Sequence, residues 1–322
     1  MKIKKEYIIL AALIVALSLY LLLHKQDRTE YELPVLQGLP SARILKIEIA
    51  KPGEAILILE KKGDRWVISP DSHPADAGKV SAMLETIANL NVTALISESK
   101  SYERYGLGET DKIGVKAWTE QGLRRDFEVG KEAPSFQHTF VKIAGDERVF
   151  QARDNFRSRF DQTPDSLRDR TVLKFDLSEV ESIEVRDAKK AVTFTRKPAP
   201  VEVKAGQETE SQPKGREVVW ESSEGNGDDA KLTQMLTALS ALKCKGYIHD
   251  RKTGDFKDPV YSVRLKGAEV YTLSVFARDE KNKNDYPCVS SQSDTPFYLP
   301  EQQASRIMVS PDDMVKKAEK SP

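Results

Sequence analysis

ARILKIEIAKPGEAILILEKK, residues 42–62, returns 136 residues later as SEVESIEVRDAKKAVTFTRKP, residues 178–198. Without gaps the two runs match Ile44 with Val180, Ile47 with Ile183, Glu48 with Glu184 and Ile49 with Val185; Ala55, Ile56 and Ile58 then fall on Ala191, Val192 and Phe194. Three more blocks follow in the same order. Trp66 answers Trp220. Residues 79–96 fall on 231–248, pairing Met83 with Met235, Leu84 with Leu236 and Leu90 with Leu242. Residues 138–152 fall on 286–300, pairing Val141 with Val289 and Phe150 with Tyr298. Four ordered blocks make an internal duplication. Two copies mean tandem domains, since a solenoid needs three or more repeats.

The grammar of each copy is the same. Ile44, Ile47 and Ile49, then residues 55–59, are short β-branched runs on either side of Lys51-Pro52-Gly53-Glu54, a hairpin signal. Asp76 reads as a helix N-cap, and Val80, Met83, Leu84, Ile87 and Leu90 then mark one helical face. Asp228 or Asp229 caps the second copy, where Leu232, Met235, Leu236, Leu239 and Leu242 repeat that face. Strands are expected at 113–118, 126–129, 139–143 and 148–151, and again at 262–265, 271–276, 288–290 and 297–299. Gly-containing turns between them favour hairpins. The expected fold class is α+β: two repeats, each a mainly antiparallel sheet with one packed amphipathic helix.

Outside the duplication, Tyr7 to Leu23 reads YIILAALIVALSLYLLL, free of charge. Seventeen residues of helix span roughly 26 Å, slightly under the ~30 Å hydrocarbon core, with flanking Tyr7, His24 and Lys25 able to reach the interfaces. A cleaved signal peptide would share the basic start, but no A-x-A-type site follows the run. We expect a single-pass anchor. Three lysines before it favour an inside N-terminus and an exported body.

Residues 1–25 form the stub and anchor, 26–41 a tether, 42–170 the first repeat and 171–310 the second. Residues 198–215 read as an insertion rich in Pro, Gly and charge, and 311–322 as a disordered tail.

The chain has 322 residues, with 50 Lys+Arg against 50 Asp+Glu. The zero balance argues against a nucleic-acid binder. It conceals +3 over residues 1–25 and −3 over the rest. Histidines 24, 73, 138 and 249 are scattered without metal spacing, and neither a nucleophile elbow nor a phosphate loop occurs. No enzyme, metal or cofactor is expected. Arg168 and Arg170 around Asp169, with Arg153, Arg157 and Arg159 upstream, could grip a phosphate, a carboxylate or an acidic partner surface. They could equally tie a corner of the chain together. Tyr102, Tyr105 and Trp118 are candidate aromatics for a small ligand or glycan. Cys244 aligns with Val92 and Cys288 with Phe140, strand positions that suit either buried thiols or a Cys244–Cys288 disulfide.

Three local patterns carry a family resemblance. They are GEAILILEKKGDRWVI at 53–68 followed by Pro74-Ala75-Asp76, then Tyr102-Glu103-Arg104-Tyr105-Gly106-Leu107, then PDSLRDRTVL at 164–173. Together they resemble the bacterial family known as domain of unknown function 4340, over residues 42–310. The second copy has Gly254-Asp255-Phe256-Lys257 near the place of the Tyr-Gly-Leu loop. The resemblance implies an envelope protein anchored in the bacterial inner membrane, N-terminus cytoplasmic and body periplasmic, without an established enzymatic activity, accompanying ABC transporter components of the gliding-motility type. Its partners would be the bilayer and that membrane complex.

Overall fold

Alternation of buried and half-buried residues in short β-branched runs forces pairing on one face of a sheet, and the chain does this twice. The computed structural model describes residues 12–20, 31–198, 218–279 and 282–316. It divides into two units, Met1–Pro164 and Asp165–Pro322. The division falls six residues before the expected end of the first repeat at 170, because Leu167 and Arg168 are buried in the second unit.

In the first unit the strands are β1 Lys46–Ala50, β2 Leu57–Lys62, β3 Arg65–Ser69, β4 His73–Pro74, β5 Val92–Ser97, β6 Ile113–Thr119, β7 Gly122–Glu132, β8 His138–Ile143 and β9 Val149–Arg153. They form one antiparallel sheet in the order β4-β3-β2-β1-β6-β7-β8-β9-β5. Helix α1, Ala77–Ala88, begins where the Asp76 carboxylate accepts the Lys79 N–H at 3.0 Å. It buries Val80, Met83, Thr86 and Ile87; each aliphatic side chain removed from water contributes about 1.5–3 kcal/mol. A short helix, α2 Arg157–Phe160, packs its Phe160 edge-on to Phe127 of β7.

Asp165 onwards repeats the plan. After β10 Thr171–Lys174 come β11 Ser182–Asp187, β12 Ala191–Pro198, β13 Val218–Ser222, β14 Gly225–Asn226, β15 Ala241–Lys243, β16 Gly246–Tyr247, β17 Tyr261–Lys266, β18 Val270–Val275, β19 Asp285–Ser290 and β20 Phe297–Pro300. The large sheet runs β14-β13-β12-β11-β17-β18-β19-β20-β16, the order of the first sheet element for element, and β10 pairs separately with β15. Helix α3, Asp229–Leu239, is capped by Asp228 and buries Leu232, Met235, Leu236 and Leu239. Helix α4, Glu301–Ile307, follows β20. The α+β class and the antiparallel sheets are therefore as expected.

Register corrects the ungapped alignment. Ile47 pairs with Leu59 in the first unit and Ile183 with Phe194 in the second. The buried Val192 and Phe194 thus stand where Leu57 and Leu59 do, while Ile56 is 56% exposed. The second hairpin is one residue shorter, and a one-residue slip moves every side chain to the other face. The same happens further on: Val141 pairs with Phe150, and Cys288 with Phe297, all four fully buried. Cys288 occupies the place of Val141 rather than Phe140.

Residues 12–20 are helical, with Leu13, Ile14, Val15 and Leu17 each more than half exposed; the remainder of Tyr7 to Leu23 lies outside the described residues. No helix among the described residues is long and apolar enough to cross a membrane. Residues 199–215 of the insertion lie outside them too. Residues 311–316, expected as tail, belong to the second core. A turn at Pro311–Met314 buries Met314 completely, and Val315 bridges to Gly227. Residues 317–322 lie outside the described residues.

Candidate functional site

The first unit carries its most unusual chemistry where the tether meets the sheet. A bulge in β7 sets two residues, Leu123 and Arg124, into the space of one between the pairs Ala117–Arg125 and Trp118–Leu123. Arg124 is exposed there, whereas Arg125 retains only 6% of its exposure. The Arg125 Nε donates to the Ile87 carbonyl at 3.3 Å and Nη2 donates to the Gln37 carbonyl at 2.8 Å. Ile87 lies in the last turn of α1, whose carbonyls have no partner within the helix and attract a cation. Gln37 belongs to the tether, so one guanidinium fastens the incoming chain to the helix end. Burial pushes the Arg125 pKa below its ordinary value, and no carboxylate reaches it among the described residues.

Two further contacts hold the tether. Leu39 is 9% exposed, and Arg148, paired with Asp146 at 2.8 Å, also donates to the Glu32 carbonyl at 3.4 Å. Residues 31–41 of the expected tether are thus fixed to the first unit. Clefts open on either side. One of about 520 Å³ is lined by Gln37, Arg43, Thr119, Glu120, Gln121 and Arg124. The other, of about 270 Å³, is lined by Leu36, Gln37, Ala88, Leu90, Val92 and Arg125.

The arginines singled out from the sequence are spent mostly on the fold. Arg157 donates to the carbonyls of Val129 at 3.2 Å and Asp111 at 2.6 Å, and Arg159 donates to Thr86 Oγ1 at 2.6 Å. Arg153 projects from the end of β9 and is exposed. In the second unit, Arg168 is 8% exposed, lies 3.6 Å over the ring of Tyr247 and donates to Thr295 Oγ1 at 2.9 Å. The Tyr247 hydroxyl donates to the Asp169 carbonyl at 2.6 Å, so this cluster is a tied corner. Arg170 is half-buried, and its carbonyl accepts the Cys244 N–H.

The aromatics are similarly engaged. Tyr102 donates to the Glu147 carbonyl at 3.0 Å beneath Lys142, Tyr105 packs edge-on to Phe140 at 5.1 Å, and Trp118 lies under Lys46. Gly106 turns the chain at φ 63°, sending the buried Leu107 into a small cluster with Ala133, Phe140 and Val149. A side chain at Gly130 would meet the Tyr105 carbonyl at 2.3 Å. The Tyr-Gly-Leu motif is a packing device.

Cys244 and Cys288 are separate free thiols, 5% and 0% exposed. Burial pushes Cys244 up to about 11 and raises Cys288 as well. His138 contacts Ser135 at 3.3 Å and His249 faces Asp165 at 3.5 Å. No group of three metal-binding side chains is assembled among the described residues.

Sequence reasoning missed Arg125 because the residues that hold it, Gln37 and Ile87, lie far from it along the chain. A family model described as Domain of unknown function (DUF4340) matches residues 66–262, running from β3 of the first unit to β17 of the second. Most of the 53–68 pattern lies before it. No curated protein and no solved structure matches the chain.

Proposed function

The chain belongs to the DUF4340 family, and from that premise we propose that it is a membrane-anchored, non-catalytic interaction module of a bacterial envelope transport complex. The observation that supports this most is the fastening of the tether. If residues 7–23 cross the bilayer once, pinning residues 31–41 through Arg125, Arg148 and Leu39 shortens the span left between the bilayer and the first unit. A loose linker would let it wander. The duplicated sheets supply two ordered scaffolds, and Arg157, Arg159 and Arg168 are engaged in packing.

In this reading the N-terminus is cytoplasmic and the body periplasmic, with an ABC transporter of the gliding-motility type as the partner. Protease added to intact spheroplasts should digest the body; its protection refutes the topology. Affinity capture from detergent-solubilised membranes should return transporter components, and repeated captures without them refute the partner.

A small-ligand or glycan module is the second reading. The 520 Å³ cleft favours it, because Arg43, Glu120, Gln121 and Arg124 present the mixed donors and acceptors that sugar hydroxyls require. A thermal-shift screen with envelope glycans separates the two, since a ligand bound only by the native state raises the melting temperature.

A further inference from the structure

Because the two sheets share one strand order, each place in the first unit has a counterpart in the second. Ile47 pairs with Ala117, which pairs with Arg125; Ile183 pairs with Leu265, which pairs with Tyr271. Arg125 and Tyr271 are therefore equivalent. So are Leu39 and Phe175, each 9% exposed and each two residues before a short turn, Ser41–Arg43 or Leu177–Glu179.

The second unit closes this corner with apolar groups. Tyr271 stacks on Phe175 at 5.3 Å, and β10 lies along β15 just after α3. The Phe175 N–H donates to the Ser240 carbonyl at 3.2 Å. The first unit leaves the same corner open. Among the described residues no backbone hydrogen bond joins 34–38 to 88–92, and the 270 Å³ cleft lies between them. Where the second unit has a ring, the first has a guanidinium.

We propose that this cleft binds an amphipathic carboxylate: a carboxylate on the Arg125 guanidinium, with its apolar tail against Leu36, Ala88 and Leu90. Arg125 is nine-tenths buried yet spends only two N–H groups, both on neutral carbonyls. A buried cation without an anion is unfavourable, and a carboxylate can accept from Nη1 and the second Nη2 hydrogen, which the carbonyls of Ile87 and Gln37 leave unused. The lining is mixed: Leu36, Ala88, Leu90 and Val92 give a tail its apolar contacts, while Gln37, Asn89 and Asn91 are polar. Gln37 and Asn89 at the rim can hydrogen-bond the remainder of the ligand. The site lies wholly within the first unit, so it holds or fails independently of the anchor and of any transporter.

The test uses the full chain in nanodiscs, titrated with hexanoate, acetate and hexan-1-ol. Hexanoate should bind saturably, and acetate and hexan-1-ol at least about tenfold more weakly, since one lacks the tail and the other the charge. Hexanoate should also shift the Arg125 Nε resonance in the arginine-labelled wild-type chain. Arg125→Tyr, which installs the second unit's solution, should lose hexanoate binding by about tenfold or more. Equal binding of hexanoate and hexan-1-ol, no saturable binding, or a folded Arg125→Tyr chain that binds hexanoate unchanged would each overturn the proposal. If that variant does not fold, the three-ligand comparison and the resonance decide alone.

Discussion

Truncating Met314 to alanine tests whether the last described turn is part of the second core. The Met314 side chain is fully buried among the residues that pack against α3 and the large sheet. Its carbonyl accepts the N–H of Asp228, the α3 cap, at 2.7 Å, while the Lys316 N–H donates to the Asn226 carbonyl at 2.8 Å. The backbone bonds survive the substitution, so its cost is lost burial plus the cavity left behind. A buried Met→Ala change costs about 2–5 kcal/mol, and we take about 3. For a unit of this size each kcal/mol lowers the melting temperature by about 2–4 °C, giving a fall of about 6–12 °C. Calorimetry reads the shift, and hydrogen exchange by mass spectrometry assigns it. Peptides from 165–316 should lose protection while those from 42–164 keep it. A fall below about 2 °C, or protection unchanged across 165–316, would show that the turn frays and that the packing argument is wrong.

The remaining predictions concern charges and thiols. Denatured without reductant, the chain should take up two alkyl groups per molecule, and the native protein almost none, because both thiols are buried and their pKa values raised; a denatured chain that takes up none carries a disulfide. Burial alone would raise the Glu128 pKa, but the ion pairs with Lys142 at 2.8 Å and Lys112 at 3.1 Å outweigh it and hold the carboxyl below its ordinary 4.5. A depressed carboxylate contributes stability above its unfolded pKa and loses it as pH falls through the folded one. The stability gap between wild type and Glu128→Gln should hold steady near neutrality and shrink below about pH 4.5 in urea titrations at stepped pH; a gap that widens in acid contradicts the assignment. Arg168→Ala should cost about 3 kcal/mol through the lost Tyr247 and Thr295 contacts, against at most about 0.5 for exposed Arg153→Ala. Equal urea midpoints for the two variants would return Arg168 to the list of free surface charges.

The periodic elements were legible in the sequence because periodicity is a local property. Val80, Met83 and Ile87 announced α1, and Asp76 its first turn, without reference to anything distant. Hairpin registers were not legible. An ungapped match set exposed Ile56 against buried Val192, since alternating apolar residues look alike when slid by one. What fixes the register is the turn, seven residues between Ile49 and Leu57 but six between Val185 and Val192. Arg125 was illegible for another reason. Its burial is created by residues 37 and 87, far along the chain, and no pattern around position 125 encodes them.

The fastening by Arg125 has a bearing on synthesis. The Gln37 carbonyl lies 88 positions before the guanidinium it accepts from. A chain emerging N-terminus first therefore makes its tether and all of α1 well before the residue that joins them. Until β7 appears, nothing in this contact holds residues 31–41 in place, and contacts so distant in sequence form late. Synthesis and fastening are thereby separated in time: residues 31–41 are complete early, and their attitude is set only when the sheet that carries Arg125 closes.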